Sequence, residues 1–222
     1  MNKVLIVGAS RGIGLEFVRQ YRTAGDAVCA TARSDAGLER IIGLGATALR
    51  LDVASTAASA ALAGPSDGER FDIVVINAGL YGPSTQGLET PTQQDFDAVM
   101  HTNVLGAMRV LPQVAPALAR GARLAVISSR MGSLGLRTSA AGWLYRASKA
   151  ALNSVLKDTS LVVADQAICV ALHPGWVRTD MGGAGADLDV STSVADMRRT
   201  LERLRPADNG GFFNHDGQPL AW

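Results

Sequence analysis

The chain has 222 residues, with 21 Lys+Arg against 20 Asp+Glu. That length suits one domain with a full core. The balanced charge, without a basic block, argues against nucleic-acid or membrane-surface binding, and the opening run 4–7 is too short for a signal peptide or membrane span. A soluble cytoplasmic protein is expected.

Apolar runs at 3–7, 27–32, 47–51, 73–76, 123–128 and 168–173 are nearly continuous in Val, Ile, Leu and Ala. Strands buried on both faces of a parallel sheet read this way. Helical patterns lie at 14–23, 36–42, 92–118, 140–163 and 194–204. The alternation predicts a single-domain, doubly wound α/β fold over 1–222. Pro112 and Pro116 predict a kink or break in the third helix. The Ala- and Ser-rich stretch 54–63 fits a surface helix. Arg198, Arg199, Arg203 and Arg205, interspersed with Asp196 and Glu202, read as a solvated helix face. Cys29 and Cys169 fall in strand-like runs and read as buried thiols. His101, His173 and His215 lack ligand spacing, so no metal site is expected.

The first strand runs into Gly8-Ala9-Ser10-Arg11-Gly12-Ile13-Gly14, immediately followed by a helix pattern. Glycine permits a tight turn and close backbone approach to a ligand. The helix start behind it offers unpaired amides to a pyrophosphate. The strand–loop–helix placement makes this a dinucleotide-binding signature. NAD-binding proteins carry an acid near the end of the second strand. Here Ala32 and Arg33 stand there, and Arg11 lies in the loop. Arginines without a carboxylate favour a 2′-phosphate, so NADP(H) is expected over NAD(H). Asp35 is expected to cap the next helix.

Tyr145 and Lys149 lie four apart in a helical stretch, and so one turn apart on one face. A free phenol, with a pKa of about 10, donates protons poorly near neutrality. A neighbouring ammonium favours the phenolate and should lower that pKa. The pair is a candidate acid–base unit for a carbonyl or an alcohol.

Together these motifs resemble the short-chain dehydrogenase/reductase family over nearly the whole chain. The carrying residues are Gly8, Gly12 and Gly14; Asp52-Val53; Asn77-Ala78-Gly79; Asn103; Ser129; Tyr145 and Lys149; and Pro174-Gly175 with Thr179. The stretches 145–153, 173–183 and 216–222 are similar to the sniffer and C-factor-like branch of small carbonyl reductases and signalling-related members. The resemblance implies a Rossmann-type sheet of order 3-2-1-4-5-6-7 with helices on both faces. It makes Tyr145 the general acid or base, and Lys149 the ligand of the nicotinamide ribose. It gives Ser129 the substrate oxygen and Asn103 a water in a proton relay. Asp52 and Val53 would contact adenine, with Asn77, Ala78 and Gly79 on the adenine-ribose side. Ser10, Arg11 and Ile13 belong to the cofactor loop. Pro174, Gly175, Val177 and Thr179 would cover the nicotinamide.

Ser129 fits the S-x-x-G pattern through Gly132 and ends the fifth strand, where ligands bind in open α/β sheets. Ser133 is the fallback, and Ser128 should face the other way. Two positions depart from the family: Val7 replaces a threonine and Ile76 an asparagine. An apolar contact between them would substitute for a polar tie between neighbouring loops. The small, glycine-rich stretch 182–193 reads as a mobile substrate lid. Trp143, Leu144, Leu80, Tyr81 and Trp176 could wall a modest, open pocket. The expected function is NADP(H)-dependent interconversion of a carbonyl compound and an alcohol. The alternatives are a non-catalytic dinucleotide-binding signalling protein and an epimerase or dehydratase on the same fold. Family precedent implies a homodimer or homotetramer through the helices at 92–118 and 140–163.

Overall fold

The computed structural model describes residues 1–56 and 70–222. Seven parallel strands form one sheet of order β3-β2-β1-β4-β5-β6-β7. They are β1 Lys3–Val7, β2 Ala27–Ala32, β3 Thr47–Arg50, β4 Phe71–Ile76, β5 Leu118–Ile127, β6 Ala167–His173 and β7 Gly211–Asn214. The helices are α1 Gly12–Thr23, α2 Asp35–Gly43, α3 Gln93–Met100, α4 Gly106–Val114, α5 Trp143–Val162 and α6 Val190–Arg203. The expected strand order is correct. Most of the expected surface helix at 54–63 lies outside the described residues.

Alternation along the strands explains their continuous apolarity. Leu5, Val7, Val74, Ile76, Leu124 and Val126 pack on one face with Val110 and Leu111 of α4 and Leu152 and Leu156 of α5. Val4, Ile6, Val75, Ala125, Val170 and Leu172 pack on the other with Phe17 and Val18 of α1 and Met197 and Leu201 of α6. Successive side chains point to opposite faces, so each strand feeds two cores.

Several boundaries differ from the sequence pattern for identifiable reasons. Polar Asp72 masks the start of β4, where its carboxylate accepts from the Lys3 amide at 2.8 Å. Arg120 and Gly121 interrupt the start of β5, whose pairing with β4 shifts register there. The expected third helix is divided. A π-helical segment, His101–Leu105, separates α3 from α4, and a 3-10 turn, Ala115–Ala117, holds Pro116. The proline break therefore falls after Val114, while Pro112 is accommodated inside α4. Ser34, rather than Asp35, caps α2 by accepting from the Gly37 amide; Asp35 pairs with Arg50. Arg198 departs from the expected solvated face, since its guanidinium lies 4.4 Å from the centre of the Tyr21 ring. Cys169 is a buried thiol as expected, while Cys29 is half-buried. Among the described residues no helix is long and apolar enough to cross a membrane.

Strand order reverses between β1 and β4. Ligands bind open α/β sheets at such a switch point, beyond the carboxyl ends of the strands.

Candidate active site

A cleft of about 500 Å³ opens at that switch point. Its walls include Gly8, Ser10, Arg11, Gly12 and Ile13 from the loop after β1, and Arg33 after β2. Asp52 and Val53 follow β3; Asn77, Ala78 and Gly79 follow β4. Tyr145 and Lys149 come from α5, and Pro174 and Thr179 from the segment after β6.

The loop after β1 is tightly folded. Gly8 has φ +87°, and a Cβ there would lie 2.7 Å from the Ala78 backbone. Its amide donates to Thr31 Oγ1 at 3.0 Å, and its carbonyl accepts from Asn77 Nδ2 at 2.6 Å. Gly14 sits directly behind, where a Cβ would meet that carbonyl at 2.2 Å. The first turn of α1 has no side-chain cap, so its amides are available to an anion.

Val7 and Ile76 are register partners on β1 and β4, both buried in the same core. The expected apolar contact is therefore in place. A polar tie survives one residue further on, through Asn77 and Gly8.

Three arginines gather at the outer end of the cleft. Arg11 forms an ion pair with Asp180 across the mouth. Arg33 is exposed on the wall. Arg40, which the motifs did not single out, reaches back from α2 to the Ser10 carbonyl at 2.9 Å. Arg109 of α4 was equally illegible: its guanidinium donates to the Ala54 carbonyl at 2.6 Å and to the Val53 carbonyl at 3.3 Å. It clamps the turn that carries Asp52 and Val53.

The inner end is buried and polar. Tyr145 is 8% exposed, with the Ser129 side chain beside its hydroxyl. Tyr81 packs on it with ring centres 4.7 Å apart. Gly142, at φ +67°, makes room, because a Cβ there would strike the Tyr81 hydroxyl at 2.7 Å. Lys149 Nζ lies 5.6 Å from the Tyr145 ring centre and donates to the Ile127 carbonyl at 2.8 Å. Burial pushes the Tyr145 hydroxyl up to about 12, while neighbouring Ser129 opposes it. Burial also pushes Lys149 down to about 8. The expected lowering of the tyrosine by its lysine is thus absent from this arrangement. Desolvation outweighs a charge that is directed at a backbone carbonyl.

Asn103 sits in the π-helical segment behind Lys149. It accepts from the Leu80 amide at 2.7 Å and donates to the Leu80 carbonyl and Ser148 Oγ at 2.8 and 2.9 Å. Its side chain locks the loop after β4 to α5. The other serines are engaged elsewhere. Ser133 donates to the Ala221 and Trp222 carbonyls, and Ser128 to Asn153.

Gly175 and Val177 follow β6 without lining the cleft. Val177 is buried and bridges Leu188. Trp176 Nε1 donates to the Gly182 carbonyl, and Arg178 holds Asp189 and the Ala186 carbonyl. Residues 190–193 of the expected lid form the first turn of α6, where Ser193 donates to the Pro174 carbonyl at 2.6 Å. Leu80 lines the cleft, as does Met181, which the motifs missed. Leu144 is buried, and the Trp143 indole donates to the Glu89 carbonyl.

The sequence profile of the short chain dehydrogenases matches residues 2–187. The chain belongs to this family. It is 38% identical over 154 residues to the C-signal of Myxococcus xanthus, covering 68% of this chain and 92% of that protein. A short-chain dehydrogenase/reductase of Burkholderia multivorans with bound NADP superposes with a TM-score of 0.90 at 32% identity, covering 100% of this chain and 99% of that one. The carbonyl reductase Sniffer of D. melanogaster superposes with a TM-score of 0.87 at 32% identity, with both chains covered completely. The family fold and the sniffer and C-factor likeness are thereby established, and the chain is a short-chain oxidoreductase.

Proposed function

We propose that this dehydrogenase is an NADPH-dependent carbonyl reductase of the cytoplasm, reducing ketones, aldehydes or quinone-like carbonyls. The observation that carries the reading is one cleft with a glycine cradle and arginines at its outer end and buried Tyr145 and Lys149 at its inner end, with Ser129 beside the tyrosine. NADP in the similar Burkholderia protein supports the choice of cofactor.

The residues present fit a dinucleotide, because Gly8 and Gly14 let the loop after β1 fold tightly against Ala78 and Asn77 at the cleft edge, and the α1 amides are uncapped. Ser10, Arg11, Gly12 and Ile13 would hold the pyrophosphate region, with Arg11 and Arg33 toward a 2′-phosphate. Asp52, Val53 and 77–79 would hold the adenosine end. Pro174, Gly175, Val177 and Thr179 would form the cover, with 182–189 as the closing part of the lid. Lys149 would hold the inner ribose. When bound, the reduced nicotinamide supplies hydride.

Tyr145 keeps its proton at neutral pH and is loaded to donate it to a carbonyl oxygen. Ser129 steadies that hydroxyl and would share the substrate oxygen. Lys149, mostly charged below pH 8, stabilises the phenolate left behind. Asn103 fixes the wall behind the lysine. The same reading expects a homodimer or homotetramer through α3, α4 and α5.

A second reading, a dinucleotide-binding signalling protein without turnover, draws on the likeness to C-signal. Oxidation of NADPH and NADH against a panel of carbonyl compounds separates the two. NADPH-dependent turnover supports the reductase. Tight NADPH binding with no turnover on any member of the panel favours the second reading.

A further inference from the structure

The end of β5 meets one face of α5 at three levels. Ser129 lies beside the Tyr145 hydroxyl. The Ile127 carbonyl accepts from Lys149 Nζ at 2.8 Å. The Ser128 hydroxyl donates to Asn153 Oδ1 at 2.5 Å. Residues 145, 149 and 153 stand at i, i+4 and i+8, so they form one row on the helix. Two of these levels belong to the proposed reductase centre. The third has no assigned task.

That third level is deeply buried. Ser128 is 2% exposed and Asn153 4%. Asn153 Nδ2 is shielded from solvent and has no hydrogen-bond partner among the described residues. A buried amide left unsatisfied costs stability. Leu152 and Leu156 flank it on α5, so stability alone would be better served by an apolar side chain. The pair also acts on a particular peptide plane. The Ile127 carbonyl and the Ser128 amide share one rigid unit. The Ser128 amide donates to the Leu172 carbonyl at 2.8 Å, which anchors one edge of that unit in the sheet. The Ser128 side chain anchors it to α5.

We propose that the Ser128–Asn153 pair is a positioning device that aims the Ile127 carbonyl at the Lys149 ammonium. Asn153 and Ser128 act through the lysine and carry no proton themselves. The inference rests on the reading of Lys149 as part of the reductase centre. The groups around that ammonium are few. Asn103 and Gly79 face it from the π-helical segment and the loop after β4, and both are uncharged. Gly132 packs on the Lys149 backbone from the turn after β5. The titratable neighbours are Tyr145 on its own helix and Tyr81 stacked behind that ring. The carbonyl is thus the acceptor for Nζ among the described residues.

The chain has three lysines, Lys3, Lys149 and Lys157. Lysine side-chain carbon labels in the full-length protein therefore give few NMR signals, and the one lost in Lys149→Met is assigned. Its titration midpoint is read in the parent, Ser128→Ala, Asn153→Leu and Ser128→Thr. A misaimed carbonyl stabilises the charged form less. Ser128→Ala and Asn153→Leu should lower the midpoint by about 0.5–1 pH unit and raise KM for NADPH roughly threefold to tenfold. Ser128→Thr, which keeps the hydroxyl, should titrate as the parent does. Leu156→Ala, one turn beyond, should lose stability without moving the midpoint. An unchanged midpoint in folded Ser128→Ala overturns the proposal, as does an equal shift in Ser128→Thr. The titration needs no substrate. A parent protein without carbonyl turnover would therefore defeat the reductase reading and leave this measurement intact.

Discussion

The Lys149 ammonium stands 5.6 Å from the centre of the Tyr145 ring and gives its hydrogen bond to the Ile127 carbonyl. One carbonyl does not repay the loss of water around a charge buried this deeply, and the group falls to about 8. In the unfolded chain it would titrate near 10.5. The unfolded state therefore binds more protons between about pH 8 and 10.5, and stability rises with pH across that window. Lys149→Met removes the penalty. It should stabilise the protein at pH 7 by ~1–3 kcal/mol, after allowance for the orphaned carbonyl, with the gain fading above pH 10. The same variant should lose NADPH turnover. Urea unfolding at pH 7 and pH 10 checks the first claim, and a Lys149→Met protein less stable than the parent at pH 7 would refute it.

Tyr145→Phe tests the acid itself. The ring, its burial and its contact with Tyr81 are preserved, while the proton is gone. General acid catalysis is worth about 10²–10⁴-fold, so kcat should fall by at least that order. The dissociation constant for NADPH, followed by fluorescence titration, should stay within about twofold of the parent's. Parent-level turnover would remove Tyr145 from the reaction.

The parts legible in sequence are those with a local signature. Continuous apolar strands, glycines beside a helix start, and a tyrosine and lysine one turn apart each announce themselves within a dozen residues. Arg40 and Arg109 carry no such mark. They are ordinary surface arginines until the fold brings them to Ser10 and to the turn at Val53. Asn153 reads as one more helix residue until Ser128 arrives from β5. The sign of the Tyr145 shift was likewise invisible. Spacing announces that a cation is near, but only packing reveals that burial outweighs it and that Ile127 takes the bond. The seventh strand is implied only by the family resemblance, because Gly211–Asn214 is four residues long, opens on glycine and leaves no apolar run to read.

Cofactor preference should reside more in Arg33 than in Arg11. Arg11 is already paired with Asp180, so serving a 2′-phosphate requires that exposed pair to open. Arg33 forms no ion pair among the described residues and lines the cleft directly. A charge-assisted hydrogen bond is worth about 1.5–3 kcal/mol, or roughly 10–100-fold in affinity. Arg33→Ala should raise KM for NADPH by about that factor and leave KM for NADH nearly unchanged. Arg11→Ala should do less. Equal losses with both cofactors would mean that Arg33 shapes the loop instead of reading the phosphate.

Acid should unfold the protein through His173. This ring ends β6 directly before Pro174, and its Nδ1 is buried without a hydrogen-bond partner among the described residues. Burial first, then His215 and Arg130, pushes it down to about 4. In the unfolded chain it takes a proton near pH 6.5. Folding therefore keeps its full stability above pH 6.5 and loses it progressively as pH falls toward 4, by up to ~3 kcal/mol. His215 differs in having a partner, since its Nδ1 lies 2.8 Å from an oxygen of Asp196. His173→Gln should flatten the fall. Urea midpoints at pH 7.5, 5.5 and 4.5 decide it. A His173→Gln protein that loses stability as steeply as the parent would place the acid sensitivity elsewhere.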